Sequence, residues 1–251
     1  MKKKTLIILG GILFMTAITG CNSESRKEIE ARFEGFVSLY PTNNLMDFYD
    51  KEGDRNHGFD ENDKGTWIVR TSINRNQNDG LDTEGMVLRF NRNTRQATGN
   101  YFISTFSQKH GNTEIEYPVY YDEMGIHLME DIEDEEVMDK IHKFKFLVEY
   151  ISFENGYIQS LTLLDKRFNA NVPLYNLTYQ LISEDMNIEK IRQQYDIDVD
   201  LQELPRLRFE GTGEGQWGHY NRRNVEFLID EERSVYVDGS VSFGNSEGMR
   251  D

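Results

Sequence analysis

Cys21 is the only thiol in the 251-residue chain. It has no second cysteine for a disulfide, a redox pair or a thiolate metal site, so its chemistry is that of a single nucleophilic sulfur. The three residues before it, Ile18-Thr19-Gly20, are one aliphatic and two small side chains. Small neighbours leave the peptide bond ahead of Cys21 open to a protease, and alkylation of the thiol gives a stable thioether. Other groups offer less. His57, His110, His127, His142 and His219 stand apart, without metal-ligand spacing. Gly213-Glu214-Gly215-Gln216-Trp217-Gly218 fits G-x-G-x-x-G, but a dinucleotide site needs a helix after that loop. The chain runs instead into the strand-like NRRNVEFLI, and Glu214 would repel a phosphate, so the stretch reads as a hairpin loop. Asp60, Asn62 and Lys64 imitate a calcium loop, yet Lys64 takes a ligand position and Thr71 stands where glutamate is needed. A looser calcium site drawn from Asp50, Glu52, Asp54, Asp60 and Asp63 stays open. There is no G-x-S-x-G elbow. No catalytic, cofactor or metal residue is assigned, and the chain is expected to be non-enzymatic.

The charge is distributed unevenly. The chain carries 28 basic and 44 acidic residues, a net of −16. Lys2, Lys3 and Lys4 lie in the first 20 residues, which hold no acid, so the remainder has 25 basic against 44 acidic groups, a net of −19. Such a body repels phosphate backbones, which argues against nucleic acid as a partner and for a soluble, monomeric body. Behind the three lysines, Thr5 to Ile18 is a run of fourteen mostly apolar residues. A basic start, an apolar core of about 7–15 residues and a small-residue end describe a signal peptide. A spanning helix needs about 20 apolar residues, more than this run has. Ile18-Thr19-Gly20-Cys21 resembles the bacterial lipobox. That resemblance implies that Cys21 takes S-diacylglyceryl and N-acyl groups. Signal peptidase II would recognise Ile18, Thr19 and Gly20 and cut before the cysteine. Residues 1–20 are then the signal peptide and 21–28 the acylated N-terminus and tether, with Asn22 to Glu28 spanning at most about 25 Å. Residues 29–251 form a single exported domain. Its place is the extracytoplasmic face of the cell membrane, held by acyl chains that each contribute about 0.8 kcal/mol per buried methylene.

The elements of that domain follow from periodicity. Ile29, Phe33, Phe36 and Tyr40 recur at helical spacing and predict an amphipathic helix over 28–39, stopped by Pro41, with a short second helix at Leu45–Tyr49. Strands are predicted at 65–73, 85–90, 99–106 and 114–121, with NRNT (91–94) as a turn and Pro118 marking an edge or a bulge. The acidic run EDIEDEE (130–136) suits the first turn of a helix. Phe144, Phe146, Val148 and Tyr150 alternate, so 142–153 reads as a strand, Asn155-Gly156 as a hairpin turn, and 157–164 as the return strand. A strand at 172–182, a helix at 187–195 with Asn187 as its cap, and strands at 206–210, 224–229 and 234–243 complete the chain. Strands outnumber helices and long βαβ crossovers are absent. The fold class is α+β: a mainly antiparallel, curved β-sheet with an N-terminal amphipathic helix and short flanking helices.

Several stretches carry a family resemblance. NLMDFYDKEGDRNHGFDENDKGTWIV (44–69), GMVLRFNRNTRQATGNYF (85–102), YPV (117–119), KFKFLVEY (143–150) and NVPLYNLTYQL (171–181) resemble the staphylococcal tandem lipoproteins, the Csa/Lpl family. With the lipobox, the resemblance runs from about residue 1 to 200. It implies a lipid-anchored surface protein of a Gram-positive cell, engaged in host-cell contact, entry and inflammatory stimulation. The implied partners are Toll-like receptor 2, through the lipid, and the host chaperone Hsp90, through the body. No catalytic residues carry over. The other function class considered is a solute-binding lipoprotein of a transport system, which calls for two α/β lobes that this pattern lacks. In DKGTW (63–67), Asp63 and Gly65 make a turn and Trp67 opens a strand with a ring large enough to anchor the core.

Overall fold

In the computed structural model, the described residues are 24–53, 55, 59–77, 79–154, 156–169, 171, 174–199, 203–213, 223–230 and 234–248. Cys21 and the residues before it lie outside them. The strands are β1 (Thr66–Gln77), β2 (Gly80–Asn91), β3 (Gln96–Ser107), β4 (Gly111–Asp122), β5 (Gly125–Leu128), β6 (Thr162–Asn169), β7 (Leu174–Gln180), β8 (Arg206–Thr212), β9 (Arg223–Leu228) and β10 (Val235–Gly244). They form one open, fully antiparallel sheet in the order β5-β4-β3-β2-β1-β10-β9-β8-β7-β6. Two five-stranded meanders thus meet at a single seam, where β10 pairs with β1 from Thr66↔Gly244 to Arg75↔Val235.

The alternation that predicts the strands also sorts the two faces of the sheet. One face is apolar. A row runs Tyr121, Ala97, Phe90, Trp67, Phe243 by register, and another runs Ile73, Val237, Phe227, Leu207, Tyr179. The other face is polar: Ser72 opposes Asp238, which opposes Glu226, then Arg208 and Thr178. Its groups bond to one another, Ser72 Oγ donating to Asp238 at 2.6 Å and Arg208 pairing with Glu226 at 3.3 Å. Buried polar groups persist where such partners are supplied.

Short helices cover the apolar face: α1 (Arg26–Ala31), α2 (Glu34–Val37), α3 (Glu135–Lys143), α4 (Leu147–Tyr150), α5 (Tyr157–Ser160) and α6 (Met186–Gln194). The segment between β5 and β6 links the two outer edges of the sheet, and α3, α4 and α5 lie along it. At mid-sheet, the Leu147 N–H donates to Thr71 Oγ1 at 3.0 Å. Gly239 makes that approach possible, because a Cβ there would lie 3.0 Å from Leu147 Cδ1 and 3.3 Å from the Tyr40 hydroxyl.

Five expectations need correction. The helix over 28–39 is two pieces, α1 and α2. Around Arg32 and Phe33 the bonds tighten to Arg32 N–Ile29 O and Phe33 N–Glu30 O, which separates the two helices. The ordered body also starts earlier than residue 29, because Ser25 caps α1 in a capping box with Glu28. The first helix therefore begins inside the stretch read as the tether. No strand forms over 142–153: Phe144 and Phe146 are buried from an extended connection between α3 and α4, and the alternation reports that burial. Gly156 is left-handed (φ +75°) as a turn requires, but it opens α5 rather than a hairpin; Asn155 lies outside the described residues. The α6 cap is Asp185, which accepts from the N–H groups of Asn187 and Ile188. Asn187 is instead buried and bonds both backbone groups of Ser152. The acidic run does lead into a helix, with Asp134 capping α3.

Candidate functional site

Most carboxylates of the open calcium expectation are committed elsewhere. Asp50 pairs with Arg95 at 2.7 Å, and Glu52 pairs with Arg92 and Arg55 at 2.9 Å each. Asp63 accepts from Gly65 N (2.8 Å), Ser246 N (2.8 Å), Ser246 Oγ (2.7 Å) and Asn93 Nδ2 (2.7 Å). Burial opposes its ionisation, but the Asn93, Ser246 and Gly65 donors outweigh burial and hold the carboxyl at about 2. Asp63 is thus a fastening between the DKGTW turn, the NRNT turn and the chain beyond β10. Arg92 adds bonds to the carbonyls of Tyr49 and Lys64. Gly65 has φ +81°, and a Cβ there would meet the Phe243 ring at 2.4 Å. Trp67 packs on Phe48 and Phe243 and donates Nε1–H to the Lys51 carbonyl at 3.1 Å. The DKGTW and NRNT residues are thus structural here. Among the described residues, no three His, Cys, Asp or Glu side chains gather as a metal set.

The other sequence candidates separate. Cys21, Ile18, Thr19 and Gly20 lie outside the described residues, as do Asp54, His57 and His219. The Gly-rich loop begins at Gly213 and is otherwise outside them, but its flanks β8 and β9 pair antiparallel, which is the hairpin context expected. His127 meets Asp122 at 2.9 Å and stacks on Tyr120 at 4.8 Å, closing the β4–β5 hairpin.

A pocket that no sequence pattern announced opens beneath the N-terminal helices. It holds about 420 Å³ between α1, α2, α5 and strands β7 and β8. Phe33, Val37, Ile158, Leu177 and Phe209 give it an apolar lining. Phe33 packs on Phe209 and on Tyr175, both at 5.4 Å. Charged and polar groups stand around this floor. Glu30 Oε1 accepts from Tyr179 OH and from Arg26 Nε, both at 2.7 Å. The Glu30 bond holds the Arg26 guanidinium above its usual range, while burial, helped by the Glu30 contact, pushes the Tyr179 hydroxyl up. Arg26 Nη2 also donates to the Ile158 carbonyl at 3.2 Å, bracing α1 against α5. These groups fix the shape of the site. Its chemistry is that of a receptor for an apolar group with polar neighbours. Only the helical period of Ile29, Phe33 and Phe36 hinted at it, because the opposing wall comes from residues about 120 to 180 positions further along.

A second hollow of about 390 Å³ sets the charged side chains Arg75, Glu84, Lys140 and Lys143 beside the apolar Ile73 and Phe144. Lys140 there pairs with Glu136 at 3.2 Å and reaches Glu84 at 3.7 Å.

Fold and site together define a class: an open antiparallel sheet, helix-covered on one face, with an apolar pocket beneath its first helices. The Csa1 family model matches residues 25–246, and the chain belongs to that family. The match runs on to residue 246, past about residue 200 where the sequence resemblance stops. A lipoprotein of Staphylococcus epidermidis is 36% identical over 257 aligned positions, covering 99% of this chain and 98% of that protein. A lipoprotein of Staphylococcus aureus strain N315 is also 36% identical, covering 98% and 99%. The crystal structure of the Mycobacterium tuberculosis lipoprotein LppX aligns over 87% of this chain and 95% of that one, with a TM-score of 0.32 and 8% identity. That likeness is too distant to bear on ligand or function. Among the described residues, no helix is long and apolar enough to cross a membrane.

Proposed function

We propose that the chain is a lipid-anchored surface protein that works by binding rather than catalysis, with Cys21 as the acylated first residue of its mature form. The observation that carries this reading is how soon after Cys21 the body is fastened. The Glu24 carboxylate pairs with Arg32, its carbonyl accepts from Lys166, and Ser25 caps α1. Only Asn22 and Ser23 separate Cys21 from Glu24, three residue steps with a reach of at most about 11 Å. A body fastened to its anchor that closely stands at the membrane surface. The lipobox and the lipoprotein relatives support the same reading.

The finer role is contact with host cells, with the acylated end as the stimulus for Toll-like receptor 2 and the body as the contact for proteins such as Hsp90. The solute-binding alternative is weaker, because one continuous sheet with an apolar pocket is not the two-lobed architecture that reading needs. The test is Cys21→Ala in cells fed a clickable fatty acid. The variant is expected to lose the label and to leave the membrane fraction or persist as an uncleaved precursor. Labelling that survives the substitution overturns the anchor.

A further inference from the structure

We infer that the corner of the body around the C-terminal end of β7 docks onto the bilayer to which Cys21 tethers the chain, an inference that rests on the anchor proposed above. Among the described residues, the exposed large apolar side chains gather in two places. Leu164, Ile182, Met186 and Leu204 surround the end of β7, at 47, 63, 60 and 47% exposure. Leu164 lies in the β6 bulge, between Leu163 opposite Tyr179 and Asp165 opposite Thr178. Ile182 and Leu204 flank the junction of β7 and β8. There the Leu181 N–H donates to the Pro205 carbonyl at 2.9 Å and Gln180 Nε2 to the Leu204 carbonyl at 3.1 Å. The turn from Ile182 into α6, closed by the Asp185 N–H on the Ile182 carbonyl at 3.2 Å, adds Met186. The rest, Phe106, Ile115, Tyr120, Met124 and Met129, lie on or beside β3, β4 and β5 at the far side of the sheet.

The first patch is the one that the front end of the chain reaches. The Glu24 carbonyl accepts from Lys166, two residues beyond Leu164, at 2.5 Å. The Arg26 guanidinium lies 5.3 Å from the centre of the Tyr179 ring and donates to the Ile158 carbonyl, and the neighbouring Tyr157 hydroxyl donates to Asp185 at 2.8 Å. Ile182 is three residue steps past Tyr179, at most about 11 Å. Cys21 is as close to Glu24, so its acyl chains enter the bilayer beside this corner. Apolar side chains scattered singly over a surface need no partner, but a group of them marks a contact. The short tether raises the effective concentration of the bilayer to about the millimolar range. Side chains too few to hold a bilayer on their own therefore dock once the chain is anchored. Lipid charge does not select this face, because Glu184 and Glu203 are exposed beside Ile182 and Leu204 while Lys166 and Arg167 are committed to Glu24 and Asp165. The attraction is apolar, at about 25 cal/mol per Å² buried, with a depth of about 5–10 Å at the boundary of headgroups and acyl chains.

The experiment uses the full acylated chain in phosphatidylcholine nanodiscs that carry nitroxide-labelled lipids. With Cys21 consumed by its lipid, Met186→Cys supplies the one thiol free for a fluorophore, and Met124→Cys, at a position still more exposed (85%), is the control. The Met186→Cys probe is expected to be quenched several-fold more than the Met124→Cys probe. Ile182→Asp combined with Leu204→Asp, both at exposed positions, should abolish that difference with the thermal transition and the fatty-acid label kept. Equal quenching at the two positions, or none at either, overturns the inference, and so does a difference that survives the double substitution. A Met186→Cys probe that escapes the nitroxide but quenches itself as protein concentration rises marks the patch as a contact with a second copy, and overturns it too. A chain that carries the fatty-acid label while its Met186→Cys probe stays bright removes the docking alone; absence of the fatty-acid label removes the Cys21 assignment, and the docking with it.

Discussion

Single side chains in this protein are set by what surrounds them, and Glu149 is the sharpest case. Its carboxylate accepts from the Phe146 N–H at 2.6 Å, at the start of α4. Burial pushes its carboxyl up to about 7, against the opposing pull of that bond and of Lys145. A raised acid binds its proton more tightly in the folded state than in the unfolded one. Its contribution to stability is therefore most favourable below the unfolded value of 4.5 and declines as pH rises from there through about 7. Glu149→Gln keeps an acceptor oxygen without the charge. The variant is expected to exceed the parent in stability at about pH 8, by on the order of 1 kcal/mol or more, and to lose that gain near pH 4. Urea denaturation at the two pH values measures it, and a parent whose stability is flat between them refutes it. The sequence shows Glu149 only as one acid among 44; its burial comes from the crossing segment that delivers it to mid-sheet. Cys21 is the opposite case, since the proposal for it rests on the local sequence alone and draws on no part of the fold.

At the scale of elements, legibility followed the range of the interaction. Strands β1, β2, β3, β4 and β7 to β10 declare themselves by alternation, because one buried face imposes a period of two wherever the strand pairs. The same alternation misleads at Phe144 and Phe146, where two rings point into the core from an unpaired connection. Asp63 shows the complementary gap. Its turn with Gly65 can be read from sequence, but its bonds to Asn93 and Ser246 reach across 30 and 183 residues. No local pattern encodes that fastening, nor the pocket whose two walls are equally far apart in the chain. Asp63→Ala should release three elements together: the turn before β1, the NRNT turn between β2 and β3, and the end of β10. Bonds to a charged acceptor are worth about 1.5–3 kcal/mol. A loss of roughly 2–3 kcal/mol is predicted at neutral pH, read from the denaturation midpoint at unchanged slope. With the folded carboxyl at about 2 and the unfolded one at 3.8, the parent holds this advantage above 3.8 and loses it as pH falls through 2. The gap between parent and variant should close over that window.

For the whole molecule, the decisive feature is the seam. In β1 to β5 and in β6 to β10 each strand pairs with its neighbour in sequence, through hairpins except where α6 joins β7 to β8, and among the described residues β1 with β10 is the strand pair joining the two halves. The helical crossing lies on the shared apolar face, so neither half keeps its core without the other. Val237 sits in the middle of that seam, opposite Ile73 on one side and Phe227 on the other, and is fully buried. Val237→Pro is expected to abolish cooperative unfolding of the whole body rather than weaken one edge, because proline in a paired inner strand removes a ladder hydrogen bond and is confined to edges and bulges. Circular dichroism that still shows a single sharp transition would count against the seam. Chain order adds a consequence in time. β10, one of the two central strands, follows the other nine in the chain, so the two halves have nothing to close on until it is made. In the exported, front-anchored protein proposed above, this schedule keeps the chain threadable until β10 is through, and lets it lock once that strand arrives.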